Sequence, residues 1–210
     1  MAVRHSSYIS HLSRDKKLAK ILVRQESQVI SKRKDVYLYL CFSIVSQQLS
    51  TKVADVIRKR FLNLYPAKPS PDQILATPHE TLRSIGLSAA KANYVHNVAQ
   101  FSIEFGMDQK VFRKMDNEEV IEYLTRIKGV GRWTAEMLLM FTLGREDVFA
   151  VDDLGIQQAM ISIYKLDKSD KKKLRENMLR ISAEWSPYRS FACLHLWRHK
   201  DNPPNAIKSK

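Results

Sequence analysis

Apolar side chains recur every three to four residues along almost the whole chain, and nowhere do they alternate with polar ones over a strand's length. Leu18, Ile21 and Leu22, then Val53, Val56, Ile57, Phe61 and Leu64, then Leu174, Met178 and Ile181 each mark one face of a helix. The pattern predicts about nine or ten helices and no sheet, an all-α fold. Breaks fall where backbone chemistry asks for them. Pro66 to Pro71 reads as a loop, Pro78 opens a helical turn, and Gly86-Leu87-Ser88 ends one helix and caps the next. Asp116 followed by Glu119 has the spacing of a capping box.

The 210 residues suffice for one compact domain or two small lobes, and 44% hydrophobic with 27% charged residues is ordinary globular usage. Charge is the unusual quantity: 35 Lys and Arg against 22 Asp and Glu leave a net +13, which suits a polyanionic partner, nucleic acid first. Cys41 and Cys193 sit in apolar helical stretches and are expected to be buried thiols. Two cysteines exclude a four-cysteine zinc or iron–sulfur site. His195 and His199 are four apart, as a zinc pair would be, but no glutamate or third ligand accompanies them. Without a secretory hydrophobic stretch or an apolar run near the ~18 residues of a membrane span, a soluble intracellular protein with no membrane partner is expected.

Residues 124–139 read LTRIKGVGRWTAEMLL, two glycines interrupting an otherwise continuous amphipathic helix. Gly129 and Gly131 are free to take backbone angles closed to other residues and to bring the main chain close to a ligand. The following helix then directs its unpaired N–H groups at the same place, an end that favours an anion such as a phosphate. Read alone, Gly-x-Gly is also a routine helix–helix connection. Downstream, VFAVDDLGIQQA ends an apolar segment at Asp152-Asp153, either of which can cap the next helix.

Together these segments resemble the helix-hairpin-helix DNA glycosylases, and among them the DNA-3-methyladenine glycosylase II branch. The matching stretches are SIVSQQLS (43–50), GLSAAKANYV (86–95), IKGVGRWTAEML (127–138), VFAVDDLGIQQA (148–159) and WSPYRSFACLHLWR (185–198), in family order. Lys128 stands where that family usually carries proline. The resemblance implies a two-lobed helical fold with a cleft between the lobes, residues 36–145 forming the lobe with the hairpin and residues 1–35 plus 146–210 the other, in a single catalytic unit. It implies a minimal version, without the cluster-bearing extension or the additional sheet-containing domain of longer relatives.

By that resemblance Asp153, twenty positions beyond Trp133, is the catalytic carboxylate, and Asp152 the neighbouring cap or the alternative catalytic residue. Trp133 and Tyr188 would line the base pocket on either side of the cleft. Bifunctional relatives carry a lysine nucleophile where this chain has Trp133, so the implied enzyme hydrolyses the glycosidic bond without cleaving the strand. Gln48, with Gln47 beside it, matches the wedge that fills the gap left by a flipped base, although the pair can equally just end a buried helix. Gly129, Val130, Gly131, Arg132 and Thr134 would meet the DNA at the hairpin. Arg189 would touch a phosphate or hold the aspartate loop. The family hairpin often holds a monovalent cation through main-chain carbonyls, here those of Thr125, Ile127 and Gly129, as a structural ion with no other cofactor. Trp185 and Trp197 read as core packing.

The expected activity is excision of alkylated purines, 3-methyladenine and 7-methylguanine, from duplex DNA by a monomer, as the first step of base excision repair. A glycosylase for deaminated or etheno-bridged adenine and a non-catalytic helix-hairpin-helix DNA-binding module remain open at this point. The second has no use for an aspartate at this interval.

Overall fold

A computed structural model describes residues 2–31 and 35–201, and all regular structure among them is helical. Thirteen helices are formed among the described residues, where the periodicity predicts about nine or ten. The excess comes from segments of four to seven residues, one or two turns long, in which a 3.6-residue period has no room to develop. None of these helices is long and apolar enough to cross a membrane.

The chain divides into two compact units, Met1–Ser31 with Gly144–Lys210, and Lys32–Leu143. The second contains α3 (Val36–Ser46), α4 (Thr51–Leu62), α5 (Pro71–Ala76), α6 (His79–Ser84), α7 (Ala89–Phe105), α8 (Gln109–Phe112), α9 (Asn117–Thr125) and α10 (Arg132–Phe141). The apolar helix α3 packs on α4, α7 and α10, and α7 also carries α5 and α6. Leu40, Ile44, Phe61, Leu82, Leu124 and Leu138 fill this unit's core. Each such side chain contributes roughly 1.5–3 kcal/mol by leaving water.

The first unit contains α1 (Ala2–Leu12), α2 (Lys16–Leu22), α11 (Leu154–Tyr164), α12 (Lys171–Ala183) and α13 (Arg189–Asp201). Helix α2 packs against α1, α11 and α13, and α11 against α13. Trp185 is buried as its pattern predicts, and its indole N–H donates to Asp15 Oδ2 at 3.1 Å while Tyr164 donates to the same oxygen at 2.6 Å. His195 is a core histidine. Its Nδ1 bonds Gln25 Oε1 at 2.7 Å and its Nε2 bonds the Tyr8 hydroxyl at 3.3 Å.

Side-chain caps set most helix starts, and Asp116 with Glu119 closes the capping box read from the sequence. Ser70 with Gln73 closes a second one ahead of Pro71. Caps of this kind contribute about 1 kcal/mol each. Cys41 and Cys193 are buried free thiols.

Candidate active site

In the unit Lys32–Leu143, α9 ends and the chain reverses through Gly129, whose φ of +107° favours glycine. A Cβ there would lie 2.3 Å from Cγ of Tyr94, so glycine is required twice over, by conformation and by packing. Gly131 departs from expectation. It caps α10 in ordinary extended geometry (φ −94°), and a Cβ would meet nothing within 4 Å. Its contribution is openness: no side chain caps α10, so the helix N-terminus is left for an external acceptor. Val130 is buried and its N–H donates to Ile127 O at 2.9 Å, so its side chain packs inward and its main-chain donor is engaged within the turn. Lys128, standing where proline was expected, is steadied by Asn97, whose amide donates to Lys128 O at 3.1 Å.

Arg132 is a correction to the sequence reading. Its guanidinium forks onto Glu118 at 2.8 and 2.5 Å and donates through Nε to the buried Glu136 at 3.0 Å. Two carboxylates offset its charge and engage all three of its nitrogens, so it braces α10 on α9.

Helix α3 stops at Ser46, and Gln47 and Gln48 leave it in a loop of unusual geometry. Gln48 is exposed with φ +57°, a left-handed conformation that costs a non-glycine residue about 1–3 kcal/mol. Two contacts hold it there. Lys91, from the first turn of α7, donates through Nζ to Val45 O at 3.0 Å and Gln47 O at 2.7 Å, and burial pushes its pKa below the ordinary lysine value. The Gln47 amide donates to Gly129 O at 3.1 Å, tying the loop to the hairpin. The pair therefore does more than end a buried helix.

Beside this loop lies a cavity of about 590 Å³, walled by Tyr39, Phe42, Gln48, Trp133, Thr134 and Met137 among others. Trp133, in the first turn of α10, is 45% exposed, and Thr134 is buried beneath it. An aromatic, largely uncharged wall of this kind takes a flat heterocycle by stacking. The positive charge on its rim, Arg58, is paired with Asp55.

In the other unit, Asp153 is the N-cap of α11: its Oδ1 accepts the Ile156 N–H at 2.9 Å. The same oxygen accepts the indole N–H of Trp197 at 2.8 Å. Trp197 is thus not simply core packing, as its helical spacing suggested. It reaches Asp153 because Gly155 has no side chain. A Cβ at 155 would stand 3.0 Å from the indole Cδ1 and 3.1 Å from Asp153 Oδ1. Upstream, Gln157 donates to Val151 O at 3.0 Å and fixes the approach to the cap.

Asp152 is not the cap. It is exposed, paired with Arg175 Nε at 3.3 Å, and separated from the helix-start N–H groups by the one residue that puts Asp153 there. Of the two roles expected for Arg189, its geometry is that of a hold on the aspartate loop. It grips Asp147 in a bidentate pair at 2.6 and 2.9 Å, so its fork is engaged by the loop leading to Asp153 and is not offered to a phosphate. Burial pushes the Asp147 carboxyl up, but the bonds from Arg189 and Ser186 outweigh it and hold the pKa below the ordinary aspartate value. Tyr188 is half-buried against His11 and Phe191, with ring centroids 5.4 and 6.1 Å away, and its hydroxyl bonds Ser7 at 3.4 Å.

With this geometry in place, the family model for base excision DNA repair proteins of the HhH-GPD superfamily matches residues 41–184. The chain belongs to the HhH-GPD superfamily. Among curated HhH-GPD relatives, DNA-3-methyladenine glycosylase 1 of Schizosaccharomyces pombe is 34% identical over 186 residues, covering 87% of this chain and 80% of that protein. A Bacillus subtilis relative, 32% identical, is longer, and this chain spans 59% of it. A DNA-3-methyladenine glycosidase structure from Bacillus halodurans superposes with a TM-score of 0.80 at 33% identity, covering 97% of this chain and 91% of that one. The S. pombe enzyme, solved with abasic DNA, gives 0.80 at 33% identity over 94% of this chain and 98% of that one.

Three residues that shape the candidate site were missed or misread from the sequence: Trp197, Gly155 and Lys91. Gly155, at the second position of α11 where glycine disfavours a helix, was the detectable one. The others act through partners more than forty residues away, and no local pattern announces them.

Proposed function

We propose that the chain is a monofunctional DNA glycosylase that hydrolyses the N-glycosidic bond of alkylated purines in duplex DNA and leaves an abasic site. The observation that carries this reading is the Asp153 carboxylate, held at a helix N-terminus by Ile156 N–H and the Trp197 indole, in a chain of this superfamily. An anion fixed there is suited to stabilising the oxocarbenium-like sugar as the bond breaks.

A purine methylated at N3 or N7 is cationic, so the C1′–N bond is weakened before the enzyme acts. The bonding pair leaves with the base, which departs neutral. Water adds to C1′ and its proton passes through Asp153 to solvent. Trp133 stacks on the cationic base within the cavity, an interaction contributing ~0.5–2 kcal/mol, and Tyr188 is proposed as a second aromatic wall. Gln48 fills the space of the extruded nucleotide, which reduces the cost of unstacking. Trp133 has no amine, so no Schiff base forms with C1′ and the strand stays intact.

The hairpin meets a phosphate through the open N-terminus of α10 and the main-chain N–H groups of Gly129 and Gly131. Neutral carbonyl oxygens of Thr125, Ile127 and Gly129 fit a monovalent cation. Ile127 O and Gly129 O each accept one protein hydrogen bond and keep a second lone pair. Such an ion would add positive charge between hairpin and phosphate. The S. pombe relative was solved with abasic DNA, the product class proposed here.

The test is release of 3-methyladenine and 7-methylguanine from methylated duplex DNA. Asp153→Asn should lower release by about 100-fold or more while duplex affinity persists. Undiminished release by that variant would discard the mechanism, and a covalent adduct trapped by borohydride would discard its monofunctional character.

A further inference from the structure

We infer that Arg126 and Lys128 form a second DNA-phosphate contact through their side chains, in a groove that adjoins the hairpin turn. The inference rests on the glycosylase reading and extends it. Most arginines whose contacts are resolved here have a carboxylate: Arg58 pairs with Asp55, Arg132 with Glu118 and Glu136, Arg175 with Asp152, Arg189 with Asp147, and Arg198 with Glu26. Among the described residues no carboxylate pairs with Arg126. Its guanidinium lies instead over three aromatic rings, 4.3 Å from the centroid of Phe105, 5.2 Å from Phe101 and 5.6 Å from Tyr123.

The difference is electrostatic. A carboxylate immobilises an arginine by cancelling its charge, whereas ring faces immobilise it and leave the charge in place. Stacking also leaves the in-plane N–H donors unused by the rings, and it removes in advance much of the entropy lost when a long side chain is ordered on binding. A fixed, uncancelled guanidinium with its edge open is built for a phosphate oxyanion.

Position supplies the second line. Arg126 and Lys128 line one groove of about 290 Å³ with Asn97 and Gln100. Asn97 holds Lys128 O at the start of the turn, so the groove abuts the hairpin directly. Its one lining acid, Glu104, accepts the Gln100 amide at 2.5 Å and, among the described residues, forms no ion pair with either cation. Lys128 and Arg126 are both exposed, and replacing the family's proline with lysine adds a cation to this rim. The ligand class is the phosphodiester backbone of the strand that the hairpin holds.

The experiment measures affinity for an abasic-site duplex across a salt series. Each lost phosphate contact lowers the slope of log K against log salt by about 0.9. Arg126→Gln and Lys128→Gln should each reduce the slope by about that amount, and the double variant by about 1.8. Arg126→Lys should restore most of it. A folded Arg126→Gln with the wild-type slope overturns the inference, as does an unchanged slope for Lys128→Gln, an exposed side chain whose loss leaves the fold intact. Wild-type protein that releases methylated purines while these variants keep its slope would sink this contact alone. Wild-type protein that neither binds DNA in a salt-dependent way nor releases base would sink the glycosylase reading with it.

Discussion

The indole N–H of Trp197 donates to Asp153 Oδ1 at 2.8 Å, joining α13 to the N-cap of α11. Donation to the ionised form favours it and limits the orientations it samples. The cap bond to Ile156 N–H fixes the same oxygen from the helix side, and together the two contacts set the plane of the carboxylate. Trp197→Phe keeps most of the packing and removes only the donor. Base release should fall by about tenfold, near the effect of one hydrogen bond to a charged group. Affinity for an abasic duplex should stay at the wild-type value, and a parallel loss of both would assign Trp197 to DNA binding in place of carboxylate positioning.

Gly155 makes that contact possible, which separates stability from activity. Alanine at a helix position ordinarily gains up to about 1 kcal/mol over glycine. Here the added Cβ would stand 3.0 Å from the Trp197 indole and 3.1 Å from Asp153 Oδ1, so the indole must give by a few tenths of an ångström. Gly155→Ala should unfold within about 1 kcal/mol of wild type in denaturant while base release drops several-fold. Full activity in that variant would show that the spacing of the indole does not matter.

How far the sequence reaches depends on the range of each interaction. The turn at Gly129, the Asp116–Glu119 box and the long amphipathic helices have signals within one turn and were readable, whereas the Tyr94 contact that also demands Gly129 was not. Asp152 and Asp153 are equally good cap residues, and only the backbone geometry that presents Ile156 N–H to Asp153 separates them. Arg132 shows the limit most plainly. Glu136 at i+4 is a local partner, but Glu118 lies fourteen residues back across the hairpin, and both are needed to see that the charge is cancelled. Helix α8, with four residues, is too short to carry any period.

His195 predicts an acid-side loss of stability. It is fully buried, and burial, with a smaller contribution from the charge of Arg198, pushes its pKa down to about 4. The ring is neutral in the fold, while in the unfolded chain it takes up a proton below its ordinary pKa near 6.5. Unfolding is therefore increasingly favoured as pH falls from about 6.5 toward about 4, and the loss is complete below that. Going from roughly pH 7 to pH 5 should cost the wild type about 2 kcal/mol through this one group. His195→Gln, which retains a donor and an acceptor for Gln25 and Tyr8, should be less stable at neutral pH and should flatten that segment of the pH profile. An equally steep profile in the variant would move the dependence to another group.

Arg189 is engaged on the loop that leads to Asp153, one of the two roles its position suggested. Its bidentate grip on Asp147 is partly exposed, at 33% and 29% for the two side chains, so solvent screens the pair. Once the guanidinium is gone, the half-buried Asp147 keeps the Ser186 hydroxyl but loses the cation that offsets its charge. Arg189→Ala should lower stability by about 1–2 kcal/mol, read as a shift in denaturant midpoint. Lysine should recover only part of this, because an ammonium cannot reproduce two parallel bonds. The pH dependence carries a sign of its own. Asp147 has a depressed pKa, so its contribution is present above the ordinary carboxylate range and is lost as pH falls through the lowered value. The destabilisation of Arg189→Ala should accordingly shrink in acid. Because the charge of Arg189 is already cancelled in the wild type, the salt slope for duplex binding should not change in the variant. A slope reduced by about 0.9 would return Arg189 to the phosphate backbone.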